Sequence, residues 1–184
     1  MGTSIASHPR QQQSAVRTGL RLGHSKAVGG LPEPPELKRW KLERIRRAGT
    51  HIMGRVTYEQ MVSVWPTSKD DYAAPMNDIP KVVFSKTLKE AKWHKSSIAG
   101  GDLADEMMAL RSQPGGEIIA WGGADFAQSL ARAGLIDEYA IVTQPVAYGG
   151  GKPLFHELPA VLHLEVLATT TFASGTSLRL YKPR

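Results

Sequence analysis

The order of segments predicts an α/β sandwich, a mostly parallel sheet with helices on both faces and an antiparallel hairpin at its C-terminal end. Three observations carry this. From residue 36 to about residue 146, helix-period segments alternate with short apolar runs; beyond residue 160 only strand patterns remain; and no segment repeats. The 184 residues, 41% hydrophobic and 22% charged, suit one domain. A chain of this size buries roughly 70% of its unfolded surface and needs no disulfide or metal to hold a core. Cysteine is absent, which excludes a disulfide scaffold, a Cys-ligated metal site and a cysteine nucleophile.

Residues 1–29 contain no acid and are rich in Gln, Ser, Gly and Arg, the composition of a disordered extension or of an aberrant beginning. Within them Val16, Thr18, Leu20 and Leu22 share one parity and Arg17, Gly19 and Arg21 the other. That alternation suits a strand with one wet face. It argues against a central strand, where two arginines would need buried partners. The domain is expected over residues 30–184, opening in the Gly29-to-Pro35 linker or turn, whose three prolines and two glycines forbid regular structure.

Glu36 to Ala48 reads as a helix with Leu37, Trp40, Ile45 and Ala48 on one side and Gly49 as its stop. Thr50 to Gly54 reads as a strand, and Val56 to Trp65 as a helix closed by Pro66. Residues 67–80, polar and holding Pro75 and Pro80, read as a loop. Lys81–Ser85 and Ser96–Ala99 are short strands. Asp102 caps a helix through Ser112 with Leu103, Met107 and Leu110 inward. Glu117–Trp121 is a buried strand. Asp125 and Gln128 fit a capping box for the helix that Gly134 ends. Glu138–Val146, Leu162–Thr171 and Ser177–Tyr181 are strands, the last two joined by a turn at Ala173-Ser174-Gly175.

The net charge of +6 invites a nucleic-acid reading, but residues 1–49 hold ten Lys/Arg against three acids, while the remainder is net −1. Part of the excess lies on the first helix, at Lys38, Arg39, Lys41, Arg44, Arg46 and Arg47, and reads as a solvated face. No aromatic interleaving of the single-strand-binding kind accompanies it. Nucleic acid is therefore not the expected partner. No apolar run is long enough for a membrane helix and no signal segment is visible, so a cytoplasmic protein is expected.

Three segments share one design: a short buried strand, a small residue at its C-terminal end, then a helix or turn. They are Ile52-Met53-Gly54-Arg55-Val56-Thr57, Val83-Phe84-Ser85-Lys86-Thr87 and Ala120-Trp121-Gly122-Gly123-Ala124-Asp125. In open α/β sheets ligands bind just past the carboxyl ends of strands. Helix N-termini there offer unsatisfied N–H groups and partial positive charge to a phosphate. Glycine lets the backbone come close, and Arg55 and Thr57 add a guanidinium and a hydroxyl. One feature opposes this: Asp125 would repel a phosphate unless its carboxylate is tied up in its own cap. Gly149-Gly150-Gly151-Lys152 is not a Walker motif, since Val146 stands five before Gly151 and Pro153 follows the lysine; a glycine turn or a loop closing over a ligand remains. The six histidines have no metal spacing, and no Gly-x-Ser-x-Gly elbow occurs. Glu138, opening a long strand, either faces a ligand or is a solvated strand end; it is the sole nominee for a proton donor. Trp121 beside the glycine pair is the tryptophan closest to the expected site.

The motifs Met53-Gly54-Arg55-Val56-Thr57-Tyr58-Glu59, Lys81 through Leu88, Gly122-Gly123, Ala133 through Tyr139, and Pro145 through Gly149-Gly150-Gly151 to Leu154-Phe155 together resemble the dihydrofolate-reductase-like proteins of the RibD C-terminal domain type. The resemblance runs from about residue 36 to the end. It implies a three-layer sandwich on a twisted, mostly parallel sheet, NADPH as cofactor, hydride transfer to a pterin- or aminopyrimidine-like small molecule, and a homodimer. Carried over, Arg55 and Thr57 would hold the cofactor's 2′-phosphate or pyrophosphate. Ser85, Lys86 and Thr87 would line its adenosine side. Gly122 and Gly123, with Gly54 and the helix start at Ala124 and Asp125, would cradle the pyrophosphate. The family usually opens with a buried strand running into a Ser-x-Asp-Gly segment, and residues 1–35 carry no such segment. Three readings follow: a reductase with an unusual opening; a nucleotide-binding relative, catalytically impaired for want of that opening; or an interaction protein using its basic N-terminus.

Overall fold

The computed structural model describes residues 32–147 and 149–184, and of the preceding residues the backbone of 16–18. Its strands are β1 (Val16–Thr18), β2 (Ala48–Gly54), β3 (Lys81–Phe84), β4 (Ser96–Ala99), β5 (Glu117–Trp121), β6 (Glu138–Thr143), β7 (Leu164–Thr171) and β8 (Ser177–Pro183). The helices are α1 (Pro35–Arg46), α2 (Arg55–Val62), α3 (Ala73–Asp78), α4 (Leu103–Ser112) and α5 (Ala124–Arg132), with a 3-10 turn at Trp65–Thr67. One eight-stranded sheet runs in the order β4-β3-β2-β5-β1-β6-β8-β7. The first six strands in that order are mutually parallel, and β8 and β7 complete it as an antiparallel hairpin. This is the mostly parallel, hairpin-finished α/β sheet that the segment order predicts.

Period-two alternation divides the core between the two faces. Met53, Ile119, Trp121 and Val83 pack with Ile45 of α1, Tyr58 and Met61 of α2, and Met76 of α3. Ile52, Ile118 and Ala120 pack on the other face with Met107 of α4 and Leu130 and Ala131 of α5. Leu37, at the start of α1, reaches Ala140 and Leu178 on the antiparallel side. Helices thus cover both faces, in three layers.

Several local readings are corrected. Gly49 does not stop the first helix, which ends at Arg46; it lies inside β2. A Cβ there would stand 2.5 Å from the Gly116 nitrogen, so the glycine serves a close backbone passage rather than a cap. The second helix ends at Val62, and Pro66 sits within the 3-10 turn instead of closing it. The expected loop over 67–80 contains α3, whose Pro75 falls in the first turn, where a missing N–H costs no hydrogen bond. Leu103 and Leu110 are half-buried, leaving Met107 as the one fully inward residue of α4. Asp102 caps α4 as expected, accepting from the Ala104 and Asp105 amides at 2.8 and 3.4 Å.

The basic stripe of α1 is not simply solvated. Lys38 pairs with Asp71 at 2.9 Å, Lys41 with Glu33, and Arg44 with Glu138 and Glu117. Those three cations are turned onto the protein's own acids.

The largest correction concerns β1. It occupies the centre of the sheet, parallel to β5 on one side and β6 on the other. This central place is the one that the arginine alternation argues against. Among the described residues the pairing runs over Val16, Arg17 and Thr18, with Arg17 at the register position between Ile119 and Glu138. The expected extension over residues 1–29 therefore contains a strand of the domain, while Leu20, Arg21 and Leu22 lie outside the described residues.

Candidate functional site

The three strand-end motifs come together because β3, β2 and β5 are neighbours in the sheet. Their ends are level: Gly54 is in register with Phe84, and Met53 with Trp121. Immediately past these ends the chain turns into α2 at Arg55 and into α5 at Ala124. Each helix is preceded by a glycine in extended conformation, Gly54 and Gly123, and neither is capped by a side chain. A helix start without a cap keeps unsatisfied N–H donors aimed outward.

Thr57 links the two helix starts, its Oγ1 accepting the Gly123 N–H at 3.0 Å. The glycines allow the close packing this needs. A Cβ on Gly54 would lie 3.4 Å from Phe126 Cβ, and one on Gly122 only 3.3 Å from Ala127 Cβ. Phe126 in turn stacks at 5.3 Å on Phe84, joining α5 to the end of β3. Next to this junction a cleft of about 330 Å³ opens between the ends of β3 and β4, lined by Ser85, Lys86, Gly101, Asp102, Phe126 and Ser129.

The polar candidates differ in how far they are committed. Ser85 shapes its own turn, its Oγ accepting from the Thr87 and Leu88 amides at 3.2 and 2.9 Å. Lys86 and Thr87 are exposed at the rim. Arg55 is held by Glu59 one turn along α2, at 2.8 and 3.0 Å. Such an exposed i,i+4 pair contributes only about 0.3–0.5 kcal/mol, so the guanidinium is readily released to a phosphate. Asp125 does not form the expected capping box. Its carboxylate receives Lys152 Nζ at 2.8 Å on both oxygens, and Gln128 instead donates to the Pro153 carbonyl at 2.7 Å. The sequence reading names Gln128 in a capping box and Lys152 in a loop that could close over a ligand, but not these pairings, because the contacts span 27 and 25 residues.

Glu138 lies elsewhere. It opens β6 at the N-terminal edge of the parallel strands, the edge opposite Gly54, Phe84 and Gly122, and is bound by Arg44. Trp121 is fully buried with its ring edge-on to His51 at 5.4 Å, a core role. Among the described residues no group of three His, Asp or Glu is placed to hold a metal, and no helix is long and apolar enough to cross a membrane.

The fold recurs in solved structures. A candidate riboflavin biosynthesis protein of Shewanella sp. PV-4 superposes with a TM-score of 0.73 at 23% identity, covering 94% of this chain and 99% of the other. A pyrimidine reductase-like protein of Corynebacterium diphtheriae gives 0.64 at 12% identity, covering 94% and 92%. The dihydrofolate reductase of Enterococcus faecalis, solved with NADP(H), gives 0.57 at 16% identity, covering 95% and 98%. The architecture is therefore dihydrofolate-reductase-like. Among Bacillus subtilis (strain 168) proteins, the chain is 33% identical to the uncharacterized protein YyaP over 101 residues, 55% of this chain and about half (53%) of YyaP. It is 28% identical to the uncharacterized protein YwjB over 129 residues, 70% of this chain and 71% of YwjB. The family match itself begins at residue 17, inside the segment where the resemblance in sequence motifs fades, and so takes in most of β1. With a sheet of that architecture, glycine-bearing strand ends in register, and a match over residues 17–178, the chain belongs to the RibD C-terminal domain family, a reductase-type family.

Proposed function

We propose that the chain is an NADPH-dependent reductase that transfers hydride to a small pterin- or aminopyrimidine-like heterocycle. The observation carrying this is the junction of β2 and β5, where two helix starts without side-chain caps are tied together by the Thr57–Gly123 hydrogen bond beside an open cleft. Those residues fit a dinucleotide. The starts of α2 and α5, which follow Gly54 and Gly122-Gly123 and have no side-chain cap, offer first-turn N–H groups to a pyrophosphate, the Gly123 N–H itself being taken by Thr57. Arg55 supplies a planar fork for a phosphate, and Ser85 and Lys86, with the exposed Thr87 next in the chain, border the space for the adenosine end. When bound, the nicotinamide supplies the hydride; the protein's part is to bind, orient and exclude water. The homodimer is proposed on the same footing: β7 is an edge strand with Val166 and Leu167 exposed, a surface that a second copy would cover.

One observation favours a second reading. Residues 1–32 contain no aspartate, hence no Ser-x-Asp-Gly opening, and a relative without it would bind the nucleotide but not turn over. A thermal shift with NADPH and NADH, followed by NADPH consumption against pterins and aminopyrimidines, separates the two. Ligand at 100 times its Kd adds about 2.7 kcal/mol, and each kcal/mol moves the midpoint by roughly 2–4 °C at this size. The expected result is a shift of that order with NADPH, reduced in Arg55→Ala. A well-folded sample with no shift would overturn the cofactor reading.

A further inference from the structure

We propose that Lys152 sets the charge of the cofactor site: by neutralising Asp125 at the start of α5 it allows that helix end to receive a phosphate-bearing ligand. The inference rests on the nucleotide-binding reading above.

Asp125 is the second residue of α5, placed where a phosphate is expected to approach. A carboxylate there suits the helix, whose N-terminal end carries about half a positive charge, but it opposes a second anion. Lys152 Nζ lies 2.8 Å from each of its oxygens. The two side chains are 66% and 78% exposed, so the pair adds little to stability. Its consequence is local: the net charge at the helix start rises from −1 to zero.

The lysine is not simply a mobile surface chain that has found an acid. Three residues on one side of α5 (Asp125, Gln128 and Arg132) receive successive points of the segment that follows the glycine turn. They meet Lys152 Nζ, the Pro153 carbonyl at 2.7 Å and the His156 carbonyl at 3.5 Å. Gln128 is only 6% exposed, so its bond to Pro153, the residue next to Lys152, is a buried anchor. Phe155 adds a ring contact with Tyr139 at 5.3 Å. The turn before it needs glycine, with Gly149 at φ +68° and Gly151 at φ +150°. A Cβ on any of Gly149, Gly150 or Gly151 would meet open space. The glycines therefore serve the backbone path that delivers Lys152, not close packing.

The test is a double-mutant cycle on NADPH affinity, measured by calorimetry on the full chain at low and moderate salt. Lys152→Met is expected to raise Kd about tenfold or more, with the ligand-free midpoint nearly unchanged. Lys152→Arg, which keeps the charge, should bind like the parent. Asp125→Asn placed on Lys152→Met should restore most of the affinity, and the loss in Lys152→Met should shrink as salt rises. Equal affinity in Lys152→Met and the parent would overturn the inference and leave the cofactor site intact. A loss that Asp125→Asn does not rescue would also overturn it, because Lys152 would then touch the phosphate itself. No binding by the parent would remove the nucleotide reading first, and the inference with it.

Discussion

His51 and Lys81 are neighbours in register on β2 and β3, and both are buried against the α3 side of the sheet. Lys81 reaches that depth because its Nζ donates to the Asn77 and His94 carbonyls at 2.6 and 2.9 Å and lies 4.6 Å from the centre of the Trp93 ring. Burial, with Lys95 nearby, lowers its pKa to about 8. His51 is pushed further, to about 3, chiefly by burial; a contact to the Pro75 carbonyl at 3.4 Å opposes the shift, and the Lys81 charge adds to it. The folded state therefore holds His51 neutral at pH values where the unfolded chain, near 6.5, takes up a proton. Stability from this residue is fully present above pH 6.5 and is lost as pH falls from there toward 3, with a slope approaching 1.4 kcal/mol per pH unit. Urea midpoints measured from pH 7 to 4 should fall accordingly, and His51→Leu should be less stable at pH 7 but markedly flatter across the range. An unchanged slope in that variant would mean that other groups carry the acid sensitivity.

At the scale of elements, the turn from α1 into β2 depends on two backbones passing without side chains. A Cβ on Gly116 would sit 2.4 Å from the Arg47 carbonyl oxygen and 2.8 Å from the Gly49 nitrogen, whereas one on Gly115 would meet nothing within 4 Å. Gly116→Ala is expected to cost about 1–3 kcal/mol or more as an overpacking change, while Gly115→Ala should be close to neutral. Thermal denaturation of the pair checks this, and equal midpoints would show that the passage widens freely. The same scale separates what the sequence could disclose from what it could not. Apolar runs ending in glycine mark β2 and β5, and their position on strand ends is legible because the pattern is local. Gly134 (φ +64°) also reads correctly as a helix stop, with the Leu135 N–H returning to the Leu130 carbonyl at 3.0 Å. α3 is hidden because Pro75 looks like a breaker, although a first-turn proline is tolerated. The capping box at Asp125 and Gln128 is misread because both partners lie in the segment after residue 151, and spacing within one helix cannot reveal them.

For the whole molecule the decisive element is β1. Among the described strands it alone links the four strands β4-β3-β2-β5 to the three strands β6-β8-β7, pairing Val16–Thr18 with Ile118–Ala120 and Arg17–Thr18 with Glu138–Tyr139. Composition hides this, since an acid-free, Gln- and Ser-rich segment reads as extension, and the arginine alternation over residues 16–22 argues against the central place that Val16–Thr18 takes. Removing residues 1–29 would leave the facing edges of β5 and β6 with unpaired N–H and C=O groups in the middle of a sheet. Buried groups of that kind are costly, and open edges invite association between chains. A chain beginning at Gly30 should therefore show no single cooperative unfolding transition and should aggregate, while the full chain should unfold in one transition. Both are read from the same thermal scan, with scattering recorded alongside. Cooperative unfolding of the shorter chain at an unchanged midpoint would show that β5 and β6 close the sheet without β1, and that the domain does begin after residue 29.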